Sequence, residues 1–148
     1  LLQPHDEWVH ESLAEIRALD VAIDVDRLAE IWARGLELPQ PVGEHVWLHT
    51  DLKPSNLLAR DGRLAAVIDF GGLSIGYPDA EHAPTWDLPA AARAAYREAL
   101  SLDDDVWRRA RAWAVLVGVS GVPYYWTSYP EFAQECVRRL QAVAGEDV

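Results

Sequence analysis

The sequence predicts a mainly helical α+β domain with one small β patch near its middle. Apolar residues recur at helical spacing in residues 7–36 and again in residues 89–144. Between these stretches, short apolar runs flank an Asp61-Gly62 pair, the composition of a tight hairpin.

The first helix is expected over residues 7–19, where Trp8, Val9, Leu13, Ile16 and Leu19 share one face. A second follows over residues 26–36 on Leu28, Ile31, Trp32 and Leu36, and Pro39 and Pro41 break its continuity. Residues 46–48 read as a strand that enters a polar loop at residues 49–56. Residues 57–59 and 64–68 form the hairpin arms, because Asp-Gly tolerates the positive φ a tight turn requires. Residues 70–88 hold Gly71, Gly72, Gly76, Pro78 and Pro84 and read as loop. Three helices are expected afterwards, over 89–100, from 105 to about 121, and over 130–144. Asp103, Asp104 and Asp105 supply a cap and favourable negative charge at the start of the middle one.

The length suits one domain spanning residues 1–148. Half the residues are hydrophobic and a quarter charged, an ordinary globular composition. With 24 acidic against 13 basic side chains and a net charge of −11, a nucleic-acid-binding surface is not expected. The single cysteine, Cys136, forms no internal disulfide and fits a reducing, cytoplasmic setting. The most apolar stretch, residues 112–122, is about half the roughly 20 residues that span a bilayer, so no membrane association is expected. The absence of Met makes a piece of a longer protein the expectation.

The chemistry concentrates in His49-Thr50-Asp51-Leu52-Lys53-Pro54-Ser55-Asn56 and, after the hairpin, Ile68-Asp69-Phe70-Gly71. The first loop holds one carboxylate and one carboxamide, and the hairpin returns a second carboxylate to the same end of the patch. Asn56 and Asp69 are hard oxygen donors that suit Mg²⁺, which shares its remaining positions with waters and phosphates. Asp51, free of metal, is placed to accept a proton from a hydroxyl nucleophile. That division of labour is what phosphoryl transfer needs, since its catalysis is mostly positioning and charge neutralisation. The spacing matches the catalytic half of the kinase signature, with Thr50 in place of the Arg.

The segment after Gly71 separates the kinase branches. Ala83-Pro84-Thr85 follows only about a dozen residues later and lacks the Glu of the protein-kinase A-P-E motif. The sequence instead resembles the aminoglycoside phosphotransferase (choline kinase-like) family of the protein kinase-like fold. The resemblance runs through residues 46–51, Asn56-Leu57-Leu58, Asp61-Gly62, residues 67–71 and Gly76-Tyr77-Pro78. It continues through residues 83–86, Trp113-Ala114 and residues 123–126, covering nearly all of the chain from about Ile31 onward.

This resemblance implies the C-terminal lobe of a two-lobed phosphotransferase, with the N-terminal nucleotide-clamping lobe missing. It implies that Asp51 is the catalytic base or orients the hydroxyl, that Asn56 and Asp69 hold Mg²⁺, and that Leu58 and Ile68 lie beneath the base of ATP or GTP. Lys53 is expected at the transferred phosphate, and His49 as a brace of the loop. The acceptor it implies is a small-molecule alcohol, with cations such as aminoglycosides among the candidates.

The chain departs from the family at two points. Where the family commonly reads Gly-Asp-Pro-x-x-Asp, this chain has Gly76-Tyr77-Pro78-Asp79-Ala80-Glu81, and the sequence leaves open whether Glu81 replaces the later acid. Thr50 stands where the family usually has a small residue, commonly Gly.

Other features have plainer readings. Tyr96, Trp107 and Trp113 fit core packing, while Tyr124, Tyr125, Trp126 and Tyr129 are weaker candidates for a substrate wall. Asp79, Glu81, Asp87, Glu131 and Glu135 are candidates to meet a cationic substrate, against which a solvated acidic surface is the stronger reading. His5, His10, His45 and His82 show no zinc spacing. Two alternatives stay open: a protein serine/threonine kinase lobe, and a non-catalytic fragment that binds a small molecule or a partner.

Overall fold

Five α-helices and a pair of two-stranded antiparallel sheets make up the computed structural model, which describes residues 1–146. Helices α1 (Asp6–Arg17) and α2 (Val25–Glu37) form as the spacing predicts. Asp24 caps α2 by accepting from the Arg27 amide at 3.0 Å, and Asp6 on α1 accepts from the Trp32 indole of α2 at 2.7 Å. Strand β1 is Val46–Leu48, and the hairpin is β2 (Leu57–Arg60) with β3 (Arg63–Val67). Its turn places Asp61 at φ 51° and Gly62 at φ 73°, the two positive angles of a type I′ turn.

Residues 70–88 depart from the loop expected there. They contain a short 3₁₀ turn (Phe70–Gly72), strand β4 (Ser74–Gly76) paired with β1, and a 3₁₀ segment over Pro78–Asp87. Strand β4 exists because β1 offers it backbone partners, Val46 opposite Gly76 and Leu48 opposite Ser74.

Helices α3 (Ala90–Ala99), α4 (Asp104–Tyr125) and α5 (Pro130–Ala144) complete the chain. Asp103 caps α4, its carboxylate accepting from the Val106 amide at 2.8 Å. Helix α4 is the axle of the domain: α1, α2, α5 and the 78–87 segment all pack on it. Trp107, Ala110, Ala112, Ala114, Val115, Val119 and Val122 are therefore all fully buried or nearly so, which accounts for the apolar run at 112–122. No helix among the described residues is long and apolar enough to cross a membrane.

The helix also continues four residues past the expected end near Gly121, through Pro123. Gly118 and Gly121 act as spacers here. A Cβ on Gly118 would lie 2.6 Å from Leu140, and one on Gly121 would collide with the Cys136 sulfur. Pro123 sits in the last turn, where only one backbone bond is lost.

The end of α5 is fastened by a carboxylate cage. Glu146 accepts from the Trp86 indole at 2.7 Å and the Trp107 indole at 3.3 Å, and pairs with Arg93 at 2.9 Å. Arg111, buried in α4, donates to the carbonyl oxygens of Val143 and Glu146. Removing the carboxylate leaves the buried Arg93 guanidinium uncompensated, so Glu146→Ala is expected to destabilise the fold by about 2–3 kcal/mol, less than a fully buried pair because Glu146 is partly exposed. Thermal melting should show a drop of roughly 5–10 °C together with altered tryptophan emission. An unchanged melt would mean the cage is incidental.

Candidate active site

The loop between β1 and β2 is held in an unusual backbone path. Thr50 takes φ 66° and Asp69 takes φ 65°, both in the left-handed region. Glu81 supports this path from the 78–87 segment: its two carboxylate oxygens accept from the amides of His49 and Thr50, each at 2.9 Å. Glu81 braces the loop from the position of the family's later acid.

His49 is a brace as well. Its Nδ1 accepts from the Asp51 amide at 3.3 Å, which leaves Nε2 as the donor to the Ile68 carbonyl oxygen at 2.8 Å. The ring is buried and packs 4.7 Å from that of Phe70. The Thr50 hydroxyl donates to the Gly72 carbonyl oxygen at 2.6 Å, a second tie between the two loops.

Within this frame Asp51 and Asn56 meet. Asn56, 5% exposed, donates through Nδ2 to the Asp51 carbonyl oxygen at 2.8 Å and to its carboxylate at 3.1 Å. Lys53 Nζ reaches the same carboxylate oxygen at 2.7 Å and stands 5.5 Å from the Phe132 ring centre. Asp69 enters through the hairpin: the Ile68 amide donates to the Asn56 carbonyl oxygen at 3.0 Å, so Asp69 begins its turn beside Asn56.

Leu58 on β2, opposite Ala66, and Ile68, just past β3, are both exposed, 47% and 41%. Phe70, Leu73, Ile75 and Trp47 are exposed nearby on the loop and the β1–β4 pair.

Among the described residues no group of three or more His, Cys, Asp or Glu is arranged for a metal. Both amide protons of Asn56 are directed to Asp51, and Oδ1 accepts from no described residue; nor does the exposed Asp69 carboxylate. Hard oxygens of this kind suit Mg²⁺ shared with phosphates and water.

Two adjoining cavities share walls at Lys53, and the smaller of them opens beside Asp51. One of about 280 Å³ is lined by Asp51, Leu52, Trp113, Val117 and Phe132, and the other, of about 470 Å³, by Trp86, Asp87, Glu135 and Arg138. Lys53, Phe132 and Arg139 belong to both. Trp107 is core as expected, whereas Trp113 is half-buried and faces the cleft. Tyr125 and Tyr129 support Phe132 by an edge contact at 4.9 Å and a stacked one at 6.0 Å.

Three of the acids considered for a cation are neither free nor solvated. Asp79 is buried against Arg109, Glu81 holds the loop amides, and Asp87 pairs with Arg139 through two bonds of 2.8 and 2.5 Å. Sequence reasoning did not find Phe132 or the Asp87–Arg139 pair as parts of the cleft. Only an aromatic residue and an arginine within an apolar helical face pointed to them.

The chain matches the model of the APH phosphotransferase enzyme family over residues 2–113. It belongs to that family. Among solved structures, this phosphotransferase-family chain is similar to the apo form of a thermostable mutant of aminoglycoside phosphotransferase APH(4)-Ia. That match has a TM-score of 0.57 at 20% identity and covers 93% of this chain and 52% of the other. A variant of the same protein in ternary complex with AMP-PNP and hygromycin B matches with a TM-score of 0.55 at 24% identity, over 92% and 43% of the two chains. The gentamicin complex of APH(2″)-IIa matches at 0.53 and 17% identity, over 96% and 51%. These likenesses establish the kinase-like fold of a C-terminal lobe. The chain spans about half the length of the structures it matches. It is also 39% identical over 67 residues to the receptor-like kinase TMK2 of Arabidopsis thaliana, covering 43% of this chain and 7% of that protein.

Proposed function

We propose that this phosphotransferase-family chain is the catalytic and acceptor-binding lobe of an enzyme that transfers the γ-phosphoryl group of ATP or GTP to a hydroxyl of a small molecule. The observation that carries the reading is the convergence of Asp51, Asn56 and the Asp69 turn at one end of the hairpin, on a loop held by Glu81. Asp51 receives or orients the hydroxyl proton of the acceptor. Lys53, beside it, meets the transferred phosphate, while Leu58 and Ile68 form an apolar floor for the nucleotide base. Asn56 Oδ1 and the Asp69 carboxylate would hold Mg²⁺, which when bound neutralises phosphate charge. The single buried Cys136 thiol supports a reducing, cytoplasmic setting.

Identity with a receptor-like kinase over 67 residues favours a second reading, a protein serine/threonine kinase lobe. The path after Gly71 weighs against it, because β4 and the 78–87 segment follow at once and leave no length for an activation segment.

In a chain that carries a nucleotide-binding lobe, Asp69→Asn replaces a charged ligand with a neutral one. Nucleotide affinity is expected to fall about tenfold or more, and excess Mg²⁺ or Mn²⁺ to restore part of it. Equal dissociation constants for both proteins across a metal titration would overturn the ligand assignment. The 148 residues alone offer two protein ligands and no cover over the phosphates. They are expected to bind Mg²⁺–nucleotide weakly and to turn over negligibly. Robust phosphorylation of any alcohol by them would refute that expectation.

A further inference from the structure

We propose that the acceptor is an alcohol of low net charge with an apolar or aromatic flank, and that the cleft is built against polycations. This inference rests on the phosphotransfer reading and specifies its substrate class.

The charges around the two adjoining cavities are almost all committed to partners within the protein. Both Glu81 oxygens accept loop amides, Asp51 accepts from Lys53 and Asn56, and Asp87 is held by Arg139 in a pair whose side chains are 14% and 10% exposed. Glu135 and Arg138, one charge of each sign on the exposed side of α5, make no hydrogen bond or ion pair among the described residues, and Glu135 faces the already paired Arg139 only through its field. A polycation needs several carboxylates at once. Drawing Asp87 away from Arg139 would strand a buried guanidinium and weaken binding on the order of 10²–10³-fold.

The aromatic face gives the same answer. Phe132 is the natural platform for a ligand ammonium, yet Lys53 already stands 5.5 Å from its centre. A second cation there would meet Lys53 a few ångströms from the hydroxyl that must approach Asp51, and like charges at that separation repel. The rest of the smaller cavity is mostly apolar, with Leu48, Leu52, Ala83, Pro84, Trp113 and Val117 on its walls beside the neutral Thr50 and Ser74. An uncharged ring stacked at Phe132 satisfies those walls without displacing any ion pair.

The test uses the whole chain with two probes, 4-nitrophenyl β-D-glucoside as a neutral aryl alcohol and kanamycin as a polycation. Both are titrated at high salt, which screens unspecific attraction to the acidic surface. The glycoside is expected to give saturable ligand-detected NMR signals, lowered at least tenfold in affinity by Phe132→Ala. They should also be lost in Val117→Trp, a substitution at a 43% exposed position that fills the cavity without touching the core. Calorimetry with kanamycin should show no saturable site. A saturable kanamycin site removed by Val117→Trp would overturn the proposal, as would failure of the glycoside to bind. Mg²⁺–ATP binding is followed in parallel in a chain that carries a nucleotide-binding lobe. Nucleotide binding without glycoside binding sinks the substrate class alone, whereas glycoside binding without nucleotide binding sinks the phosphotransfer reading and leaves the cleft assignment standing.

Discussion

Asp51→Asn is expected to lower kcat by about 10²–10⁴-fold, the range for a positioned general base, while leaving nucleotide affinity nearly unchanged. That corresponds to roughly 3–5 kcal/mol of transition-state stabilisation. The substitution keeps the size of the side chain and one oxygen for Lys53 or Asn56. It removes the negative charge and the basic lone pair that face the acceptor hydroxyl. The oxygens assigned to Mg²⁺, Asn56 Oδ1 and the Asp69 carboxylate, are not involved in holding Asp51. The measurement is kcat and nucleotide Kd for Asp51→Asn and Asp69→Asn in a chain that carries a nucleotide-binding lobe. Rescue of Asp51→Asn by excess metal, with none for Asp69→Asn, would show that base and ligand have been assigned in reverse.

Arg109→Ala is the largest expected stability effect. Arg109 Nε donates to Asp79 at 2.7 Å, and its NH1 donates to the Pro39 carbonyl oxygen at 3.1 Å. The two side chains are 10% and 5% exposed, so deleting one leaves a buried charge without its counterion. A loss of about 3–5 kcal/mol follows, or roughly 6–20 °C in Tm for a chain of this size. Asp79→Ala should cost a similar amount. The double variant Asp79→Leu/Arg109→Met should be more stable than the sum of the two single losses, because it removes both charges together. Denaturant melts of the four proteins decide this, and strict additivity would mean the pair is not coupled. The pair joins α4, the 78–87 segment and the connection from α2 to β1, so its loss also loosens the approach to the active-site loop.

The features legible in the sequence are those set by neighbouring residues. Helix faces, the Asp103 cap and the Asp61-Gly62 turn depend on spacings of a few positions and formed where expected, except that Trp8, placed on the buried face of the first helix, is 51% exposed. The motif from His49 to Asn56 and the Asp69-Phe70-Gly71 turn were legible for the same reason. Strand β4 was hidden because three residues carry no period, and its partner β1 lies more than twenty positions earlier. The 78–87 segment was hidden because its buried residues, among them Asp79, His82 and Trp86, follow no single face. Burial also pushes the His82 imidazole below its ordinary pKa, favouring the neutral ring, whose Nδ1 lies 2.9 Å from the Tyr96 hydroxyl. The roles of Asp79 and Asp87 were hidden because Arg109 and Arg139, which neutralise them, stand 30 and 52 positions away.

Thr50 and Gly72 have a consequence for how this loop evolves. A β-branched residue at φ 66° is strained by about 1–2 kcal/mol, and the hydroxyl bond to the Gly72 carbonyl oxygen offsets part of that. A Cβ at position 72 would run into that same hydroxyl. The two positions therefore form one inherited unit: while Thr occupies 50, any side chain at 72 is selected against. Change to Gly at 50 relieves the backbone and releases 72 to vary. Substitution at 72 is therefore expected to be easier once 50 has become Gly than while Thr remains there.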